Sequence, residues 1–579
     1  MHSLLAFLDR LQRRLGLRTD SVIFFTSAAL TLVFVAATIL LTDQVDSVFR
    51  VASDWLKRSL GWFYILGVTS FLIFLFWIAV SRYGHVRLGP QGSRPEYSNR
   101  AWFAMLFAAG IGTILMFWGV AEPISHFAVP PQSGVDPQSV EAAEMAMAYS
   151  LYHFGLHTWT IFCLPGLCFA YFIHRRGLPF RVSSILHPIL GERIHGPIGK
   201  TVDITAVMGT LFGVAVSIGL GTMQINSGLS ELFGIAESRT VQLAIIVVVT
   251  AIATASVAAG LDKGIKRLSN INISMAVGLL LFVLVAGPTL FLLRGVIETT
   301  GTYLSSLVPL SFWNDTFADS GWQGSWTVFY WAWTITWSPF VGIFIARISK
   351  GRTIREFVLG VLALPTAFTI VWFSVFGLSA IRLQMDGTAD LVDEVVEQND
   401  IPGALFAFLD SFPFATFLAA VSVLIVVIFF TTSADSASLV VDVLTVGTDE
   451  GQSPTRQRVF WAITEGVVAG TLIAATGTGG LAALEQVITV VGLPFFFIAF
   501  LMMYSLVRGL RADFPELGGP PPGLLQEDSG RGRRRGLTWR AARPRQLPSS
   551  GARRRANGGG GRGGRGGGGE AASEREGPG

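Results

Sequence analysis

Cysteine is nearly absent. Only Cys163 and Cys168 occur in 579 residues, and both stand in an apolar run, which excludes a disulfide framework or a thiolate metal centre. Charge is scarce too: Asp, Glu, Lys and Arg make up 14% of the chain, against 51% hydrophobic residues and a mean hydropathy of +0.54. Soluble domains carry about a quarter of their residues charged, so a polytopic membrane protein is expected. The chain lacks a nucleophile–base set and a cofactor motif, which argues against an enzyme. It lacks a ring of pore charges, which argues against a channel. Residues 1–20 are basic and amphipathic, and no small-residue cleavage site follows them, so the first apolar run is expected to be a retained span.

What is present is length and apolarity. At about 20 apolar residues per span, the sequence predicts about twelve helices, centred on 22–41, 62–80, 102–121, 149–172, 204–229, 241–258, 273–293, 326–345, 357–378, 416–431, 459–475 and 487–507. Basic residues fall in alternate loops, around Arg82–Arg100, Arg175–Arg181, Lys263–Arg267, Arg347–Arg355 and Arg456–Arg458, and at the N-terminus. The intervening loops are acidic, with no Lys or Arg in 122–144 and six acidic residues in 386–400. The basic loops are expected to face the cytoplasm with both termini; the basic residues near 50–58 do not fit. Residues 295–319 and 400–411 are too polar or short to span and read as surface helices or connectors outside the membrane. Residues 519–579 hold thirteen Arg against five acidic residues, leaving 30 basic against 34 acidic in the rest, so the net charge of +4 belongs to the tail. Residues 512–579 are expected to be a disordered, Arg/Gly-rich tail that could touch anionic lipid or stay a solvated linker, with RNA a lesser option.

Four stretches carry chemistry. Trp326, Tyr330, Trp333 and Trp337 recur at i, i+4, i+7 and i+11, giving one helix an aromatic face that can hold a cation or simply pack. Gly110 and Gly112 weaken the third span, whose backbone carbonyls a cation could satisfy if the helix unwinds; close helix packing is the rival. Thr431, Thr432, Ser433, Asp435 and Ser436 group hydroxyls and a carboxylate, the oxygen set a hard cation prefers, although such hydroxyls also bond back to their own helix. Asp435 is expected to be structural or gating. Phe154, Trp159 and Phe162 could complete a cage with Trp333 and Trp337. His153 and His157 stand at i, i+4, but no Glu or Cys joins them at ligand spacing, so no metal site beyond a possible sodium site is expected.

The stretches YWAWTITWSPFVGIFIARISKGRTIR (330–355), FAAGIGTILMFWGVAEP (107–123), TTSADS (431–436) and VGLP (491–494) resemble the betaine/choline/carnitine transporter family, in order, over nearly all of 21–511. The resemblance implies an all-α fold. After a cytoplasmic N-terminus (1–20) and two peripheral helices (21–100) come two inverted five-helix repeats, 101–300 and 301–511, the second led by an extracytoplasmic surface helix. It implies a cell-membrane secondary transporter, commonly a homotrimer, importing a quaternary-ammonium osmolyte such as glycine betaine or choline by alternating access. Sodium or proton would be the coupling ion; ectoine or carnitine carriers, exchangers and osmosensors are the alternatives. It assigns the trimethylammonium box to Phe154, Trp159, Phe162, Trp333 and Trp337. A sodium ion would be held by backbone oxygens of Ala108, Ile111 and Phe429 and by the hydroxyls of Thr432 and Ser433. The pattern departs at Thr334, where many members carry a further tryptophan. It departs also at Val214, which replaces one threonine of a second sodium site while Thr210 is kept, and at Ile114, which matches neither betaine nor choline carriers.

Overall fold

The computed structural model describes residues 2–110, 112–259, 262–447, 453–475 and 480–518; Ile111 and residues 519–579 of the Arg/Gly-rich tail lie outside them, whereas the expected start of disorder at 512 is too early, since α-helix continues to Asp513, which Arg176 holds at 2.9 Å, and resumes at Pro515–Gly518. The described chain is helical, its one β feature being a bridge between Arg87 and Thr353. In order come α1 (His2–Arg14), α2 (Ser21–Leu40), α3 (Thr42–Val80), α4 (Asn99–Gly110), α5 (Thr113–Ala128), α6 (Val140–Phe154), α7 (Leu156–Phe169), α8 (Val182–Ile185), α9 (His187–Leu190) and α10 (Pro197–Phe233). They are followed by α11 (Arg239–Ala259), α12 (Asp262–Ala286), α13 (Thr289–Phe312), α14 (Phe329–Ile348), α15 (Ile354–Met385), α16 (Ala404–Asp410), α17 (Ala415–Val446), α18 (Thr455–Ala475), α19 (Gly480–Asp513) and α20 (Pro515–Gly518).

Eleven stretches among the described residues are long and apolar enough to cross a membrane. The third predicted span is not among them, being split into α4 and α5 on either side of an extended Gly112. Each half is too short to qualify alone, and the break is where the paired glycines predicted one. The tryptophan-rich helix is not broken: a π-helical turn at Gly324–Val328 leads into an uninterrupted α14, with Pro339 inside it.

Three boundaries differ from the sequence reading. The basic residues Arg50, Lys57 and Arg58 belong to the long helix α3 and not to a loop. The seventh span stops at Ala286, because Pro288 lacks an N–H and disfavours helix in the residue before it. The next helix therefore starts at Thr289, not near 295. The stretch at 400–411 forms only the short α16, as its length predicted.

Loops at one end of the bundle are basic and at the other acidic, and the basic end is pinned by ionic contacts. Asp20 caps α2 by accepting from the Val22 and Ile23 amides and pairs with Lys200 at 2.9 Å. Burial alone would raise the Asp20 carboxyl, but Lys200, the Ile23 amide and Arg181 together outweigh it and hold the group below its ordinary value. Arg352 lies 3.9 Å over the Trp102 ring and donates to Asn99 at 2.9 Å. In the core, α7 packs along α14 so closely that a Cβ on Gly342 would meet the Gly166 nitrogen at 3.1 Å.

Candidate functional site

The break between α6 and α7 positions the first aromatic wall. Gly155 sits at the kink, where an added Cβ would meet the Leu151 carbonyl at 2.5 Å and the Tyr303 hydroxyl at 2.6 Å. That hydroxyl accepts from the Leu156 amide at 2.9 Å, so α13 latches the kink. Phe154 ends one helix while Trp159 and Phe162 lie on the next, and all three face one cavity.

That cavity has a volume of about 500 Å³, inside the range of about 300–1,000 Å³ usual for small-molecule sites. The structure brings together in its wall every predicted box residue, Phe154, Trp159, Phe162, Trp333 and Trp337, with Phe429, Thr432 and Ser433 from α17. Thr334 and Val214 also line it. Ile111 lies outside the described residues, and of Ala108 only its helical backbone, in the last turn of α4, is described. The carbonyls of a helix's last turn have no intrahelical donor, which suits the backbone-oxygen role that the resemblance gives them.

Both cavity-lining tryptophans of α14 are held by one residue the sequence reading missed. The Trp333 and Trp337 indoles each donate to Ser217 Oγ at 3.1 Å, and Trp337 also donates to the Gly213 carbonyl at 3.0 Å. Ser217 is one of several hydroxyl residues along the largely apolar helix α10, with nothing in its spacing to distinguish it. Trp159 and Phe162 stand edge to face at 5.5 Å, and Trp333 stacks on Phe329 at 5.6 Å. The wall is thus fixed before any solute arrives.

The hydroxyl group on α17 is partly committed. Thr432 donates to the carbonyls of Ile428 at 2.9 Å and Phe429 at 3.1 Å, the back-bonding the sequence left open. A hydroxyl that donates its hydrogen inward keeps its lone pairs for a cation, so Thr432, Ser433 and the Phe429 carbonyl remain a fitting oxygen set. Of the second sodium pattern, Thr210 is buried with an unpartnered hydroxyl and Val214 offers no oxygen.

The aromatic face of the tryptophan helix is divided between two tasks. Trp333 and Trp337 line the cavity, whereas Trp326 and Tyr330 turn toward the acidic end and pack against Trp118 at 5.7 and 5.5 Å. The cavity's walls reach Arg347 at the basic end of α14 and Val440 on α17 but stop at Phe117 and Phe154 on the other side. Beyond these, Trp118, Trp326, Trp322, Tyr149 and Trp313 fill the space.

The histidines do not behave as an i, i+4 pair, because the kink at Gly155 separates them. His157 bonds Ser311 at 2.9 Å. His153 instead meets a carboxylate after all: Glu122 of α5, at 2.6 Å, with His126 also on that carboxylate at 3.3 Å. The three ligand-type atoms lie within 4.8 Å of one another, a grouping the sequence reading did not expect, since it looked for a carboxylate at local ligand spacing and Glu122 is 31 residues from His153.

A profile of the betaine/carnitine/choline family of transporters matches residues 22–515. The chain belongs to that family. It is 50% identical over 499 residues to an ectoine/glycine betaine/proline transporter of Corynebacterium glutamicum, covering 86% of this chain and 81% of that protein. It is 43% identical to a glycine betaine transporter of Acinetobacter baylyi (85% and 73% covered). It is 42% identical to a high-affinity choline transport protein of Escherichia coli (86% and 73% covered). As a member of this family the protein is a membrane transporter and not an enzyme, and the tail after 515 lies outside the matched region.

Proposed function

We propose that the protein imports a quaternary-ammonium osmolyte, glycine betaine or choline, driven by an inward sodium gradient. The observation that carries this reading is the convergence of five aromatic rings from α6, α7 and α14 with the α17 hydroxyls on one cavity. A trimethylammonium group has no hydrogen to donate, so ring faces are its natural partners, each worth about 0.5–2 kcal/mol. Sodium, bound beside them, would supply a positive charge that draws the α4 carbonyls and the Thr432 and Ser433 hydroxyls together. The ion and the solute favour closure only by binding the closed form better than the open ones.

The basic end of the bundle is the cytoplasmic one by the charge of its loops. A cavity whose walls run to Arg347 while aromatics fill the acidic side is accordingly the inward-facing stage of alternating access between two inverted repeats. The working protein is a homotrimer in the cytoplasmic membrane, with both termini inside and a tail that lies on anionic lipid. Thr334 supports a second, broader reading. With a hydroxyl where a further ring is common in the family, the site also suits a less strictly quaternary zwitterion such as ectoine, one of the solutes named for the Corynebacterium relative. The test is uptake of labelled betaine, choline and ectoine by Trp159→Ala and Trp337→Ala proteins of normal abundance. Both should lose most betaine uptake, and full uptake in both would refute the cage.

A further inference from the structure

Behind the cavity, on its acidic side, lies a cluster that the transport reading does not use. Glu122 is fully buried, as is His153, and His126 is 1% exposed. Glu122 Oε1 meets His153 Nδ1 at 2.6 Å and His126 Nε2 at 3.3 Å, while Tyr330 donates its hydroxyl to Oε2 at 2.5 Å. The other ring nitrogen of His153 lies 3.0 Å from the Thr327 hydroxyl in the π-helical turn before α14. The cluster therefore ties α5 and α6 to the start of the tryptophan helix. The rings that seal the acidic side surround it, with Trp326 4.5 Å and Trp322 5.1 Å from the His126 ring.

Among the described residues, further ionisable groups surround the cluster. Tyr149 and Tyr152 come from α6, His157 from α7 and Tyr303 from α13. Glu485 of α19 acts on Tyr330 and is itself opposed by Lys57 of α3, and Asp315 acts on Tyr149. Among the described residues the ionic partners of Glu122 are His126 and His153 alone. With both imidazoles neutral and the carboxylate ionised, the cluster carries a buried charge of one unit, which costs several kcal/mol in a dry site. One added proton, on an imidazole or on the carboxyl, removes that charge. A divalent metal fits less well. Two ligands around a tetrahedral zinc stand about 3.3 Å apart, whereas Oε1 and Nδ1 are at 2.6 Å, a hydrogen-bond distance.

We propose that Glu122, His126, His153 and Tyr330 form a proton-binding site that locks the acidic face: closing that face takes up one proton from the medium there, and reopening returns it. The proton is not carried across, because none of the four residues lines the cavity that reaches the basic end. This rests on the alternating-access reading, in which the rings around the cluster part when the site faces outward.

The test uses the full chain in liposomes, with internal pH and the sodium gradient fixed and external pH stepped from about 5.5 to about 9, the range that brackets imidazole titration. Wild-type betaine uptake should fall on the alkaline side by about tenfold per pH unit, the dependence of a single proton. Glu122→Gln removes the charge that needs neutralising and should flatten that limb. Tyr330→Phe removes a donor that favours the ionised carboxylate and should move the limb to higher pH, which a merely structural role would not do. A second readout needs no solute: tryptophan emission of the purified protein should titrate along the wild-type curve, through the imidazole beside Trp322 and Trp326, and lose that step in Glu122→Gln. Emission decides the proton claim even if betaine is not the cargo. A wild-type uptake limb and emission step retained in Glu122→Gln, or one external proton consumed per betaine delivered, would overturn the proposal.

Discussion

Ser217→Ala is the sharpest probe of the cavity wall, because one hydroxyl accepts from both site tryptophans at 3.1 Å. Trp337 keeps the Gly213 carbonyl at 3.0 Å, so it loses half its anchoring, while Trp333, 4% exposed, loses the acceptor that orients it. A net hydrogen bond contributes about 0.5–1.5 kcal/mol, and the two losses together come to about 1–2 kcal/mol. If that energy holds the rings where the solute meets them, affinity falls by about 5–30-fold. The assay is the concentration dependence of betaine uptake at saturating sodium. Half-saturation should rise by that factor while the maximal rate changes little, since the alanine adds no bulk and Ser217 lies outside the hydroxyl group on α17. A half-saturation concentration within about twofold of wild type, less than one net hydrogen bond, would refute the idea that Ser217 sets the wall.

Other substitutions test separate parts. Thr432→Ala with Ser433→Ala should raise the external sodium needed for half-maximal uptake while sparing solute affinity at saturating sodium; an unchanged sodium dependence would remove these hydroxyls from the ion site. Thr334→Trp adds a ring to the cavity wall and should improve betaine over ectoine in competition, by about 2–30-fold for one added cation–π contact. Gly155→Ala forces a Cβ against the Leu151 carbonyl and the Tyr303 hydroxyl and should destabilise the detergent-solubilised protein by about 1–3 kcal/mol, seen as a lower melting temperature; an unshifted melt would show that the kink tolerates a side chain.

Much of the frame was legible because a bilayer imposes it. Span length and loop charge gave the order of helices, and the paired glycines of the third span marked where α4 ends and α5 begins. What misled was helix continuity. Pro288 moved one boundary, and α3 absorbed basic residues that had been placed in a loop. The rings that line the cavity were legible in type, as aromatic residues at helical spacing, and the substrate role proposed for them comes from the resemblance of their motifs to the family's. Their support was not legible. Ser217 and Glu122 act across distances of more than a hundred residues, toward Trp333 and Tyr330 respectively, and no local period records such a meeting. The i, i+4 spacing of His153 and His157 was misleading for the converse reason, since the kink at Gly155 separates neighbours that an unbroken helix would join.

The central claim, sodium-driven transport of a quaternary ammonium solute through this cavity, is tested most directly with purified protein in sealed liposomes, measuring labelled betaine uptake under a sodium gradient and under a proton gradient imposed separately. The account predicts accumulation with the sodium gradient alone, abolished when Trp159 and Trp337 are both replaced by alanine. Accumulation driven by the proton gradient and indifferent to sodium, or undiminished in the double variant, would contradict it.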